Sequence, residues 1–278
     1  MGKLIALLLV ILAVGTAYLF IGQNLWWFPH NISTHGQAID DQFMRTLVVV
    51  GVAFTLAQLA LGYVVFRFGS RGNERATYSH GSNKLEAVWT VATAVIFVAL
   101  AILGQRVWIS LHLNAAADGA YKIEVVAQQF QWNFHYPGPD GVFGRSEPQF
   151  INDSALNYVG LDPADPNGKD DAQVTTLAIP KDREVELTLR SKDVIHSFFA
   201  PVLRFKQDTV PGMAIRVHFT ATETGRYDIP CAELCGSLHY NMKSSLLVVT
   251  QDEFQSLVSL PEEKFKDRLN ELMAQYQQ

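Results

Sequence analysis

The sequence predicts an α-helical membrane hairpin of two or three spans followed by an exported all-β domain, a sandwich or barrel. Three observations carry that expectation. Uncharged apolar runs occupy Leu4–Gly22, Thr46–Phe66 and Ala87–Gly104. Beyond Gln105 the texture changes to short β-branched and aromatic runs separated by Pro and Gly turns. Charged residues make up only 18% of the 278 residues, below the roughly 25% of an ordinary soluble domain.

A bilayer core takes about 20 apolar residues of helix. The second and third runs meet that length and lack the polar face a buried core helix usually carries. The first run, within residues 1–24, is either a span or a signal peptide. It is longer than a usual signal core and no A-x-A site follows it. Trp26 and Trp27 come just after it, where an aromatic belt would sit. We therefore read it as an uncleaved span, ahead of a hairpin over residues 45–105. Arg67, Arg71, Arg75 and Lys84 lie between the second and third runs, whereas residues 23–42 contain no Lys or Arg. The positive-inside rule then keeps the basic loop in the cytoplasm and exports everything after the last span. The net charge is −5, so no global basic field recruits nucleic acid. Two cysteines are too few for a disulfide scaffold.

Lys122–Tyr136 reads as one strand with Phe130, Trp132, Phe134 and Tyr136 on a buried aromatic face. Thr175–Ile179, Glu184–Ser191, Ile215–Thr220, Arg226–Ile229 and Ser245–Thr250 are further strands. They define a domain over 118–250. Its insertion at 137–172, rich in Pro, Gly, Asp and Asn, reads as a solvated excursion between strands. A calcium loop is the alternative there, although the spacing is not that of an EF-hand. The tail 251–278 reads as a peripheral helix with Pro261 in its first turn and Phe265, Leu269 and Leu272 at helical spacing.

The chemistry concentrates in Cys231-Ala-Glu-Leu-Cys235-Gly-Ser-Leu-His239-Tyr-Asn-Met242. Thiolate, thioether and imidazole together form the donor set that copper prefers. A Cys231–Cys235 disulfide would leave His239 and Met242 without a role, and zinc would have little use for the thioether. His196, just after the strand Glu184–Ser191, is the best upstream ligand and is expected on a loop. His135 and His218 fall inside strand patterns, and His30, His35, His80 and His112 lie near membrane boundaries. One blue-copper ion needs a single Cys. Two thiolates can instead bridge two metals, each completed by one His and one weak axial group. Met242 and the Glu233 carbonyl would be those axial groups. Such a centre suits electron relay and leaves little room for substrate.

The pattern C-x-E-x-C-G-x-x-H-x-x-M with the upstream Asp193-Val-Ile-His196-Ser resembles subunit II of the haem–copper cytochrome c oxidases. The likeness runs from about Thr46 to Thr250. It implies a cupredoxin-like exported domain whose binuclear copper centre, CuA, is held by His196, Cys231, Glu233, Cys235, His239 and Met242. It also implies magnesium at the Glu233 carboxylate, shared with subunit I. Lys206-x-Asp208-x-x-Pro211-Gly212 matches a segment near that interface. Glu86 in Glu86-x-x-Trp89-Thr90 would mark the entrance of a proton path. Electron entry would fall to Phe130 and Trp132, in Gln129-Phe130-Gln131-Trp132.

Two departures stand out. Phe130 replaces the family's first Trp, and Thr93 stands where a Pro is usual. The implied function is to take electrons from a c-type cytochrome and pass them to haem in subunit I, where O2 is reduced and protons are moved. The implied location is a bacterial inner (plasma) membrane, among lipid and the other oxidase subunits. Asp140, Glu147, Asp153, Asp162, Asp165, Asp170, Asp171 and Asp193 offer a negative face to steer a basic donor. The rival readings are a quinol oxidase subunit II, which lacks copper ligands, and a membrane-tethered copper carrier or assembly factor. A nitrous oxide reductase domain shares the copper motif but not the hairpin.

Overall fold

The computed structural model describes residues 2–22, 28–69, 78 and 80–276. Trp26, Trp27, Arg71 and Arg75, which entered the membrane reading, lie outside the described residues. The chain divides into two units.

The first unit, residues 1–29 and 38–108, is helical. Its helices are α1 (Gly2–Gly22), α2 (Gly36–Phe68) and most of α3 (Asn83–His112). All three are long and apolar enough to cross a membrane. Few of their apolar side chains are buried against protein, Ala6 and Ala13 of α1 among them, and α3 has no buried residue at all. Among soluble folds that would be an exposed core, so lipid is the matching solvent. Small residues bring α1 and α2 together, with Ala6 and Leu9 against Gly62. The Gln42 side chain donates to the Leu100 carbonyl (3.3 Å), linking α2 to α3. Thr93, the departure from the expected Pro, keeps its backbone N–H in the helix and donates its hydroxyl to the Trp89 carbonyl (2.7 Å).

The second unit, residues 30–37 and 109–278, is a β-sandwich. Its strands are β1 (Tyr121–Gln128), β2 (Gln131–Tyr136), β3 (Ala172–Val174), β4 (Leu177–Pro180), β5 (Glu184–Ser191), β6 (His196–Ala200), β7 (Phe205–Thr209), β8 (Ile215–Thr220), β9 (Gly225–Pro230) and β10 (Lys243–Val249). One sheet runs β3-β2-β1-β5-β8, a second β4-β10-β9, and β6 pairs with β7. β1 is parallel to β5 and β10 to β4, while the other pairings are antiparallel.

The segment expected to be one strand, Lys122–Tyr136, is a hairpin of β1 and β2 that turns at Gln129-Phe130. Parity still holds within β2, where Trp132, Phe134 and Tyr136 are buried. The opposite face is buried too, because the insertion lies over it. Asn133 and His135 have no exposure to speak of, and Phe143 packs edge-on against the His135 ring at 4.9 Å. The insertion is exposed along much of its length, but parts of it pack onto the sheet. Asp162 and Asp171 are buried, and Asp171 accepts bonds from His135, Gly138 and Gly144.

Two helices close the chain, α4 (Gln251–Val258) behind a Thr250–Glu253 capping box and α5 (Glu262–Gln275). Pro261 caps α5 rather than sitting in its first turn. Phe265, Leu269 and Leu272 enter the sandwich core, with the Phe265 ring 5.0 Å from Tyr136. The core also takes Ile32, from the short stretch ahead of α2. Ile32 is fully buried, with its N–H bonded to the Val202 carbonyl (2.9 Å) and its C=O to the Thr222 N–H (2.7 Å).

Candidate metal centre

The cysteine segment leaves β9 at Pro230 and re-enters the sheet at β10. Both ends are tied down. The Cys231 N–H donates to the Met242 carbonyl (2.9 Å), and the Ala232 N–H to the Ser197 carbonyl (3.0 Å). Ser197 in turn donates to Asp208 (2.7 Å). His196 opens β6, opposite Thr209. It was expected on a loop; strand pairing with β7 instead fixes its backbone against the Cys231 turn.

This brings the donors together. One ligand atom each from His196, Cys231 and Cys235 lies within 4.8 Å of the others, and all three residues are buried. The two sulfurs are 3.9 Å apart and the cysteines are free, whereas a disulfide needs about 2.05 Å. Met242 Sδ lies 3.6 Å from Cys235 Sγ, His239 Nδ1 3.6 Å from the same sulfur, and the Glu233 carbonyl 3.2 Å from Cys231 Sγ. The Glu233 carboxylate points outward, and His239 is partly exposed.

The polar surroundings fit a metal. Asp193 sits 2.8 Å from His196 Nε2, leaving Nδ1 buried without a hydrogen-bond partner. An orphaned imidazole nitrogen beside two sulfurs is costly unless something fills the gap, and a carboxylate behind the ring is the usual support of a metal-bound His. Burial opposes ionisation of Cys231, but the adjacent His196 ring and the backbone around Ser197 and Glu233 outweigh it and push that thiol down. Burial and the neighbouring Cys231 charge push Cys235 up. Two close sulfurs cannot both become thiolates cheaply without a cation between them.

Of the remaining expected residues, Trp132 is buried in the sandwich with its ring 6.2 Å from that of His196. Phe130 is half-buried at the hairpin turn. A Cβ built on Gly236 would meet its ring at 3.0 Å, which places the ring against the cysteine segment. Glu86 lies in the first turn of α3 in the other unit. His135 and His218 are held in carboxylate contacts, His135 by Glu124 and Asp171 and His218 by Glu184. Sequence reasoning missed the strap that joins entry turn to metal segment: the Gln129 N–H donates to Asp193 (2.7 Å) and its side chain to the Cys235 carbonyl (2.5 Å).

A helical membrane anchor carrying a β-sandwich with a buried two-thiolate, imidazole and thioether site defines an anchored cupredoxin-like redox domain. Family models sharpen this. "Cytochrome C oxidase subunit II, periplasmic domain" matches residues 122–250, and the transmembrane domain of the same subunit matches 21–107. The chain is 36% identical over 254 residues to an alternative cytochrome c oxidase subunit 2 of Bradyrhizobium diazoefficiens, covering 91% of this chain and 90% of that one. It is 29% identical over 277 residues to cytochrome c oxidase subunit 2 of Synechocystis sp., covering 93% and 82%. The solved periplasmic domain of subunit II of a Bradyrhizobium japonicum cytochrome oxidase overlays with a TM-score of 0.40 at 24% identity, covering 54% of this chain and 99% of that one.

The chain belongs to the cytochrome c oxidase subunit II family. It is a membrane protein with an exported domain and an electron-transfer subunit of a haem–copper oxidase, an oxidoreductase complex. The family implies copper, and the structure shows a His/Cys site of matching chemistry.

Proposed function

We propose that His196, Cys231, Cys235, His239, Met242 and the Glu233 carbonyl hold two copper ions as a CuA centre. The observation that carries this is the buried, unpartnered His196 Nδ1 within 4.8 Å of both free sulfurs. Copper held there would supply a one-electron couple. This chain's own residues do the rest. Asp193 fixes the His196 tautomer, the Ser197 and Met242 carbonyls hold the cysteine segment, and the sandwich excludes water from the sulfurs. The electron comes from a c-type cytochrome outside a bacterial inner membrane, enters at Phe130 with Trp132 beside His196, and leaves for haem in subunit I.

The exposed Glu233 carboxylate is suited to share a magnesium ion with subunit I, since Mg²⁺ takes carboxylate oxygen and keeps its waters. Glu86, in the first turn of α3 on the side the positive-inside rule makes cytoplasmic, is placed for proton uptake.

The test is copper per chain with the EPR spectrum of the purified protein. Two coppers sharing one unpaired electron are expected, and Cys235→Ser should abolish that signal. One copper per chain, silent in EPR and easily removed by a chelator, would overturn the reading in favour of a copper carrier.

A further inference from the structure

Most of the carboxylates that would form a negative docking face are engaged within the domain. Asp162 is held by Arg145, Asp153 by Lys192 (2.5 Å), and Asp171 by His135 (2.6 Å). Asp193 is taken by Gln129 and His196, and Glu147 lies 3.8 Å from Arg145. Arg145 is shared by Asp162 and Glu147, and Asp193 meets an amide and an imidazole, so these contacts tie the carboxylates into the domain and lower, without cancelling, the negative charge of that face.

The flank of the entry turn has the opposite character. A cleft of about 370 Å³ opens beside Phe130 and Trp132, and its charged lining is Arg226 and Lys243 with no carboxylate. Hydroxyls of Thr176 and Ser245 complete the polar wall. Arg226 Nε donates to Ser245 Oγ (3.2 Å), which fixes the guanidinium and leaves its terminal amino groups for a ligand. Among the described residues neither Arg226 nor Lys243 has an ion pair. Asp228, exposed on the same face of β9, is the nearest opposing charge along the strand and does not line the cleft. A fixed guanidinium is suited to bidentate capture of a carboxylate.

We propose that this cleft receives an acidic group of the electron donor, so that the donor docks at Phe130 through carboxylates rather than through lysines set against the insertion. This rests on the relay reading above and adds the charge of the partner. The transfer it serves breaks no bond: the donor's ferrous haem gives one electron, becomes ferric, and the relay is reduced by one. Phe130 lies between the cleft and the cysteine segment, so a donor anchored on Arg226 would bring its haem edge to the ring that packs on Gly236.

The experiment is stopped-flow oxidation of two reduced c-type cytochromes, one acidic and one basic, by the assembled oxidase over a range of ionic strength. The copper EPR signal is recorded on the same preparation. The acidic cytochrome should be the faster at low salt and should slow as salt is raised. In the R226Q/K243Q double variant its low-salt rate should fall about tenfold and its salt dependence flatten, within the range that electrostatic steering spans. A basic cytochrome that is faster at low salt, or an acidic one indifferent to R226Q/K243Q, overturns the proposal while a normal copper signal leaves the relay reading intact. Inhibition by inorganic phosphate of both donors alike, lost in the double variant, would mean a small-anion site and also overturns it. Absence of the copper signal from the wild-type protein would overturn the relay reading and this inference together.

Discussion

Replacing Asp171 by Asn tests what holds the insertion onto the sheet. Asp171 Oδ2 accepts from His135 Nε2 (2.6 Å) and the Gly144 N–H (2.8 Å), and Oδ1 accepts from the Gly138 N–H (3.1 Å). The His135 and Asp171 side chains are both wholly inaccessible to solvent. The other His135 nitrogen lies 2.9 Å from Glu124. Burial works against an imidazolium here, yet the two carboxylates outweigh it and raise the His135 pKa above its ordinary 6.5. Burial likewise works against the Glu124 carboxylate, and His135 and Arg190 outweigh it, lowering Glu124 below its ordinary 4.5.

A histidine raised on folding stabilises fully below 6.5 and loses that contribution as pH climbs through its folded value. A lowered glutamate stabilises above 4.5 and loses its part as pH falls. The network is therefore strongest between those two values. Removing one member of a buried charge pair costs about 3–5 kcal/mol. Asn retains an oxygen for Gly138 and Glu124 remains, so the lower end, about 3 kcal/mol, is expected at pH 6. For a unit of this size that is a fall in Tm of roughly 6–12 °C. Thermal unfolding of the solubilised chain, followed by far-ultraviolet circular dichroism at pH 6 and 9, measures it. The wild type should lose stability toward pH 9, and Asp171→Asn should lose less, its imidazole being nearer the ordinary value. A cost under about 1 kcal/mol at pH 6, or equal pH dependence in both proteins, would refute the reasoning.

Two other substitutions probe the core and the metal segment. The buried Tyr136 hydroxyl donates to the Ala178 carbonyl (2.8 Å) and accepts from its N–H (2.7 Å). Tyr136→Phe strands both groups and should cost about 1–3 kcal/mol, read as a lower urea midpoint at unchanged slope. Gly236 has φ +142°, and a Cβ there would meet Gln129 Nε2 at 2.7 Å and the Phe130 ring at 3.0 Å. Gly236→Ala should displace the entry ring and slow donor oxidation by about tenfold, the scale of a small misplacement, with copper per chain unchanged. A loss of copper instead would make Gly236 part of the metal site's own scaffold.

What the sequence could disclose depended on how far apart the interacting residues lie along the chain. The metal motif is nearly local. Five of its six residues fall between Cys231 and Met242 on one turn between two strands, so spacing alone announced it. His196 was legible because it follows a strong strand pattern, although the pairing with β7 that positions it was not. β7 is Phe-Lys-Gln-Asp-Thr, four of its five residues polar, and β3 has three residues, too few for a period to register. The break in Lys122–Tyr136 escaped because Gln129-Phe130 offers no turn chemistry of its own; the strap to Asp193 and Cys235 holds the turn from outside.

The same limit explains the charge reading. A composition counts carboxylates but not their partners, so Asp162 and Asp171 appear as free surface charge. In the fold Arg145 holds the first from 17 residues away and His135 the second from 36. Arg226 and Lys243, from two different strands, meet Phe130 only because β9 and β10 pair and the sandwich carries them beside the β1–β2 turn. The charge beside Phe130 is thus set by the tertiary structure. Net charge, at −5, says nothing of where two cations come together.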